Sequence, residues 1–82
     1  MQRLPYTIPG NGSIHLMSRV SGAFIITYWN RTAILCVSSE GIFYPCKHDY
    51  FLNDIDIYKE GDALMIRNKQ GSPKEIYVEW LM

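Results

Sequence analysis

The chain has 82 residues, with eight Lys and Arg against eight Asp and Glu and 48% hydrophobic residues, so its formal net charge is zero. That mixture is too apolar and too weakly charged for a disordered chain, and the length allows one domain with one core. Two-domain cofactor enzymes are excluded, as are strongly basic nucleic-acid binders and strongly acidic mimics of them, which need a large net charge of one sign.

Residues 1–12 (MQRLPYTIPGNG) crowd Pro5, Pro9, Gly10, Asn11 and Gly12 together and keep no periodicity. They read as an irregular, extended N-terminal arm that packs on the body or on a partner, with residues 13–82 forming a single small β domain. The arm lacks the run of about 7–15 apolar residues of a signal peptide. The patch Ala23-Phe24-Ile25-Ile26 falls far short of the ~20 apolar residues that span a bilayer. A cytoplasmic location without membrane association is the expectation. Asn11-Gly12-Ser13 and Asn30-Arg31-Thr32 then read as turns rather than glycosylation sites. Cys36 and Cys46 are too few for a disulfide scaffold and are expected as free, mostly buried thiols.

Beyond residue 12 the pattern is of short β-like runs between turn residues. Residues 13–20 alternate, with Ile14, Leu16 and Val20 on one face and His15, Met17 and Arg19 on the other, and Ser21-Gly22 is a two-residue turn. Residues 23–29 and 32–38 are apolar on both faces, as central strands are, with Asn30-Arg31 turning between them. Glu40-Gly41 turns into 42–46, which Pro45 assigns to an edge. Residues 47–53 hold either one helical turn or a loop pinned by Tyr50 and Phe51. Runs 54–59 and 62–68 flank a Glu60-Gly61 turn, and after a 69–73 loop the last strand covers 74–81. The expected fold is all-β: a small antiparallel barrel or sandwich, SH3-like or OB-like, of six to seven short strands.

The last three runs read as a meander. If Lys59 and Asp62 close the turn, Ile57 faces Leu64 and Ile55 faces Ile66, and Ile66 set against Ile76 brings Leu64 beside Val78. One face is then Ile55, Ile57, Leu64, Ile66, Ile76, Val78 and Trp80, each contributing roughly 1.5–3 kcal/mol when fully buried. The other face carries Asp54, Arg67 and Glu75, then Asp56, Met65 and Tyr77, then Tyr58, Ala63 and Glu79. Tyrosines and a methionine rimmed by charge have the composition of an interaction surface.

No phosphate loop, nucleophile elbow or metalloprotease helix motif is present. Cys46 and His48 could pair as thiolate and imidazolium, and Cys36 and His15 would complete four zinc ligands, but Pro45 interrupts the strand and no zinc-site spacing occurs. The reading is a buried Cys46 beside a solvated turn, with no metal, no cofactor and no catalysis. Asp49, Asp54, Asp56, Glu60 and Asp62 do not follow calcium-loop spacing and read as a solvated edge that deters aggregation.

The expected function is a non-enzymatic protein-binding module that occludes or bridges a larger protein partner through Asp56, Tyr58, Met65, Arg67, Tyr77 and Glu79. By analogy of size and missing cofactor motifs, an inhibitor of a host defence nuclease complex, carried by a phage or mobile element, is one such role. The alternative is a single-stranded nucleic-acid-binding barrel using Arg19, Trp29, Arg31, Tyr44 and Lys47. A third reading is a homodimer through Tyr58, Met65 and Tyr77.

Overall fold

A computed structural model describes residues 3–18 and 21–81. Among them are eight strands: β1 (Arg3–Ile8), β2 (Ser13–Met17), β3 (Gly22–Tyr28), β4 (Arg31–Ser38), β5 (Gly41–Lys47), β6 (Ile55–Glu60), β7 (Ala63–Asn68) and β8 (Lys74–Trp80). Every pairing is antiparallel, in a five-stranded sheet ordered β1-β8-β3-β4-β5 and a three-stranded sheet ordered β2-β7-β6. The two sheets enclose one core, to which Ile8, Leu16, Phe24, Ile26, Tyr28, Leu35, Phe51, Ile55, Leu64, Ile66, Ile76 and Val78 contribute. The described residues contain no helix, so none is long and apolar enough to cross a membrane.

Eight strands replace the expected six or seven because the N-terminal segment is itself part of a sheet. Residues 3–8 pair with β8 along their whole length, from Arg3 opposite Glu79 to Ile8 opposite Lys74. Ile8 is fully buried. Proline hid this strand: Pro5 cannot donate to a ladder, but β1 is an edge and needs only one set of partners. Gly10 follows where the 9–12 and 69–73 loops touch; a Cβ there would meet the Gly71 carbonyl oxygen at 2.1 Å.

The expected C-terminal meander does not form. β7 lies between β2 and β6, whereas β8 lies between β1 and β3 in the other sheet. The β6–β7 register also sits two residues from expectation, with Ile57 opposite Ile66 and Glu60 opposite Ala63, so Gly61 and Asp62 form the turn. Gly61 has φ 62°, a left-handed conformation natural to glycine. A shift of two preserves faces, which is why Ile55, Ile57, Leu64, Ile66, Ile76 and Val78 are all buried as expected. Trp80 is the exception; it packs edge-on against Phe24 yet remains exposed at the end of β8.

Turn positions differ elsewhere. Ser21-Gly22 does not join a hairpin, since β2 and β3 belong to different sheets. The β3–β4 hairpin turns at Trp29-Asn30 and the β4–β5 hairpin at Ser39-Glu40. Of the first alternating run, Leu16 is buried and Ile14 half-buried, while Arg19 and Val20 lie outside the described residues. Residues 48–54 form successive turns with no helix, pinned by Phe51 but not by Tyr50, which is exposed. Asn68, fully buried, donates to the Ile8 and Ser72 carbonyls and accepts from the Gln70 amide.

Each sheet edge is blunted against strand addition: Pro5 in β1, Pro45 in β5, a register irregularity in β2, and Asp56, Lys59 and Glu60 in β6.

Candidate binding surfaces

The six residues expected to form one surface divide between the sheets. Asp56, Tyr58, Met65 and Arg67 share the outward face of the three-stranded sheet, Tyr58 opposite Met65 and Asp56 opposite Arg67. β2 adds His15 opposite Met65 and Ser13 opposite Arg67. The Tyr58 hydroxyl donates to Ser13 Oγ at 3.3 Å. This face is mostly polar. Tyr77 and Glu79 belong to the five-stranded sheet, because β8 does not pair with β7. The single patch of six is therefore a product of the wrong strand neighbour.

Tyr77 and Glu79 instead join a surface that sequence reasoning missed. Residues opposite one another across the ladders share a face. Following the pairs outward gives the row Arg3, Glu79, Ile25, Ile34 and Cys46 across all five strands. A second row holds Pro5, Tyr77, Thr27 and Thr32, and a third holds Ala23, Cys36 and Phe43. Their alternate neighbours Phe24, Ile26, Leu35, Ile76 and Val78 fill the core, so these residues point away from it. Phe43 is 59% exposed, and Ile25, Ile34 and Cys36 are half-buried by their neighbours on the sheet.

Charge lies on the β1–β8 side, where Glu79 stands directly beside Ile25. The Arg3 guanidinium stacks 4.2 Å from the Tyr77 ring centroid and comes within 3.9 Å of Glu79. The Tyr77 hydroxyl donates to Glu75, and that bond to a carboxylate raises its pKa above the usual phenol value. Cys36 and Cys46 are free thiols on this face; Cys46 is exposed and Cys36 half-buried, rather than mostly buried as expected. The conceivable zinc set is dispersed, since His15 sits on the other sheet.

A second surface lies at the β3–β4 hairpin. Tyr28 is fully buried, and its hydroxyl donates to the Phe51 carbonyl, anchoring the 48–54 loop to β3. Burial raises its pKa, partly offset by the hydrogen bond from Arg31. Arg31 spans the same loop: Nη1 donates to Asp54 Oδ2 at 2.7 Å and to the Tyr50 carbonyl at 3.2 Å. Its guanidinium carbon lies 5.5 Å from the Trp29 ring and 6.0 Å from the Tyr50 ring. Trp29 is 65% exposed and Tyr50 57% exposed. Lys74, only 4% exposed, brings Nζ within 4.1 Å of the Trp29 ring centroid.

Trp29 and Arg31 of the alternative set thus come together. Tyr44 does not join them; it is half-buried against Phe51, and burial pushes its phenol up to about 12. Lys47 ends β5 opposite Ala33, and Arg19 lies outside the described residues. Tyr50 and Lys74 carry no local sequence signal for this site.

No protein-family model matches the chain, and searches of curated proteins and of solved structures likewise find no match.

Proposed function

We propose that the protein is a non-enzymatic protein-binding module that docks on a larger partner through the outward face of its five-stranded sheet. One observation carries the reading: the central strands β3 and β4 carry Ala23, Ile25, Ile34 and Cys36 on their outward side, beside Thr27, Thr32 and Ser38, while the fold covers only the inner side. Antiparallel sheets with a solvated face normally alternate apolar and polar residues. Ile25, Ile34, Cys36 and Phe43 form instead an apolar centre flanked by Thr27, Tyr77 and Glu79, a mixture that suits a protein interface.

On this reading the two sheets are halves of a small open barrel, SH3-like or OB-like in kind, whose outer surface carries the function. Occluding a larger assembly, such as a host defence nuclease complex, is a role that a face of this type suits. Free Cys36 and Cys46 on that face suit a reducing, cytoplasmic setting.

The test is affinity capture from a lysate of the source cell, treated with nuclease, using the wild type and Ile34→Glu. One stoichiometric protein partner retained by the wild type and lost by a folded Ile34→Glu supports the reading. A partner retained equally by both overturns this surface. Recovery of the chain alone, as a dimer that Ile34→Glu dissociates, replaces the larger partner with a second copy.

A further inference from the structure

We infer that the β3–β4 corner is a second, independent site, which takes single-stranded nucleic acid on the rings of Trp29 and Tyr50. It shares no residue with the sheet face, so either reading can fail without the other.

Three observations converge there. Trp29 has φ 53°, while Asn30, the other loop residue, has no positive φ. A two-residue hairpin loop with only its first residue left-handed follows the type II′ pattern, which favours glycine at that position. A bulky indole held there is a conformational outlier, and such strain concentrates at sites of function. The strain presents the ring to solvent rather than to the core.

Lys74 is the second observation. Only 4% of the residue is exposed, but among the described residues no buried side-chain nitrogen lacks a partner, so Nζ itself reaches solvent. Its side chain makes no hydrogen bond or ion pair among the described residues. Nζ lies 4.1 Å from the Trp29 ring centroid and 5.4 Å from that of Tyr28. A lysine whose stem is buried while its ammonium reaches water beside an exposed ring is placed to meet an anion arriving from solvent.

Charge distribution is the third. The zero net charge conceals a polarity along the strands. Arg31, Lys47, His48, Lys69 and Lys74 lie at the end formed by the β3–β4 turn and the 48–54 and 69–73 loops, with Asp49, Asp54 and Glu75 among them. Glu40, Glu60, Asp62 and Glu79 lie toward the opposite strand ends, where Lys59 and Arg3 offset part of that charge. Two exposed rings, with the Asp54-held guanidinium of Arg31 near both and the Lys74 ammonium against one, combine base stacking with backbone neutralisation. An acidic peptide would use the cations but leave both rings without planar partners. Duplex DNA would keep its bases stacked on each other, out of reach of the rings.

The experiment is fluorescence anisotropy of a labelled oligodeoxythymidylate of about 12 nucleotides, within the reach of one small barrel. Binding is expected at about 20 mM salt, and with about three phosphates neutralised it weakens about 100-fold on a tenfold rise in salt. Trp29→Gly, which fits the turn better than tryptophan, and Tyr50→Ala each reduce affinity about tenfold or more while the protein stays folded. Lys74→Met reduces both the affinity and the salt slope. No binding at low salt, affinity unchanged in Trp29→Gly, equal binding of a duplex of that length, or equal displacement by an oligoglutamate of the same charge would each overturn the inference.

Discussion

Ile25 of β3 and Ile34 of β4 are direct partners in the central ladder, and both side chains point away from the core. Their immediate neighbours Phe24, Ile26, Ala33 and Leu35 are all buried on the opposite side. Two adjacent isoleucines in the middle of an outward sheet face add nothing to the shared core. They do supply the low-polarity centre that a docking surface requires.

Ile34→Glu should therefore lose the captured partner while costing about 1–2 kcal/mol at this half-buried position in a central strand, short of the loss expected in the core. Thermal melting and capture of the same preparation check this. A larger loss of stability would mean that the side chain belongs to the core.

Val78→Asp gives the opposite result. Val78 is 1% exposed in the shared core, so an aspartate there is a buried, unpaired charge costing about 3–5 kcal/mol, comparable with the whole stability of a small domain. Loss of cooperative unfolding in circular dichroism is expected. Met65→Glu, on the polar face of the three-stranded sheet, should leave both fold and partner capture intact, and lost capture would return the interface to that sheet.

Trp29→Gly should stabilise the fold as it weakens oligonucleotide binding. Relief of a left-handed bulky residue, offset by glycine's entropy, leaves a gain of up to about 1 kcal/mol, or a few degrees in Tm. A lower Tm would show that the indole contributes more through Lys74 than the turn loses by holding it.

Asp54→Asn removes the carboxylate that Arg31 meets at 2.7 Å. The pair is only partly exposed, so a loss of about 1 kcal/mol is expected in urea denaturation. The freed guanidinium should tighten oligonucleotide binding several-fold. Weaker binding would show that the carboxylate is needed to hold Arg31 near the two rings.

Stability at alkaline pH should depend on Tyr44. Burial raises its phenol from 10.0 to about 12, so the folded chain holds that proton more tightly than the unfolded chain. The contribution is complete below pH 10 and is lost as pH rises towards about 12. Urea denaturation across that window should show a shallower decline for Tyr44→Phe. The remaining slope belongs in part to Tyr28 and Tyr77, whose phenols are also raised. An unchanged slope in Tyr44→Phe would exclude Tyr44 as the source.

Alternation within each run determined which side of a strand is buried. Ile55, Ile57, Leu64, Ile66, Ile76 and Val78 could be assigned to the core from period two alone, and a register displaced by two residues left that assignment unchanged. The all-β class and the edge position of β5 follow from the same local chemistry of β-branched residues, turns and Pro45. Strand neighbours were another matter. β8 lies beside β1 and β3 rather than β7, a choice made by how the two sheets close over one core and by no single segment's pattern. That choice separated Tyr77 from Met65 and left one side of β3 and β4 uncovered. It also brought Lys74 against Trp29, although 45 positions separate them in the chain. Periodicity records what each strand hides, whereas pairing across the chain decides what the assembled sheets expose.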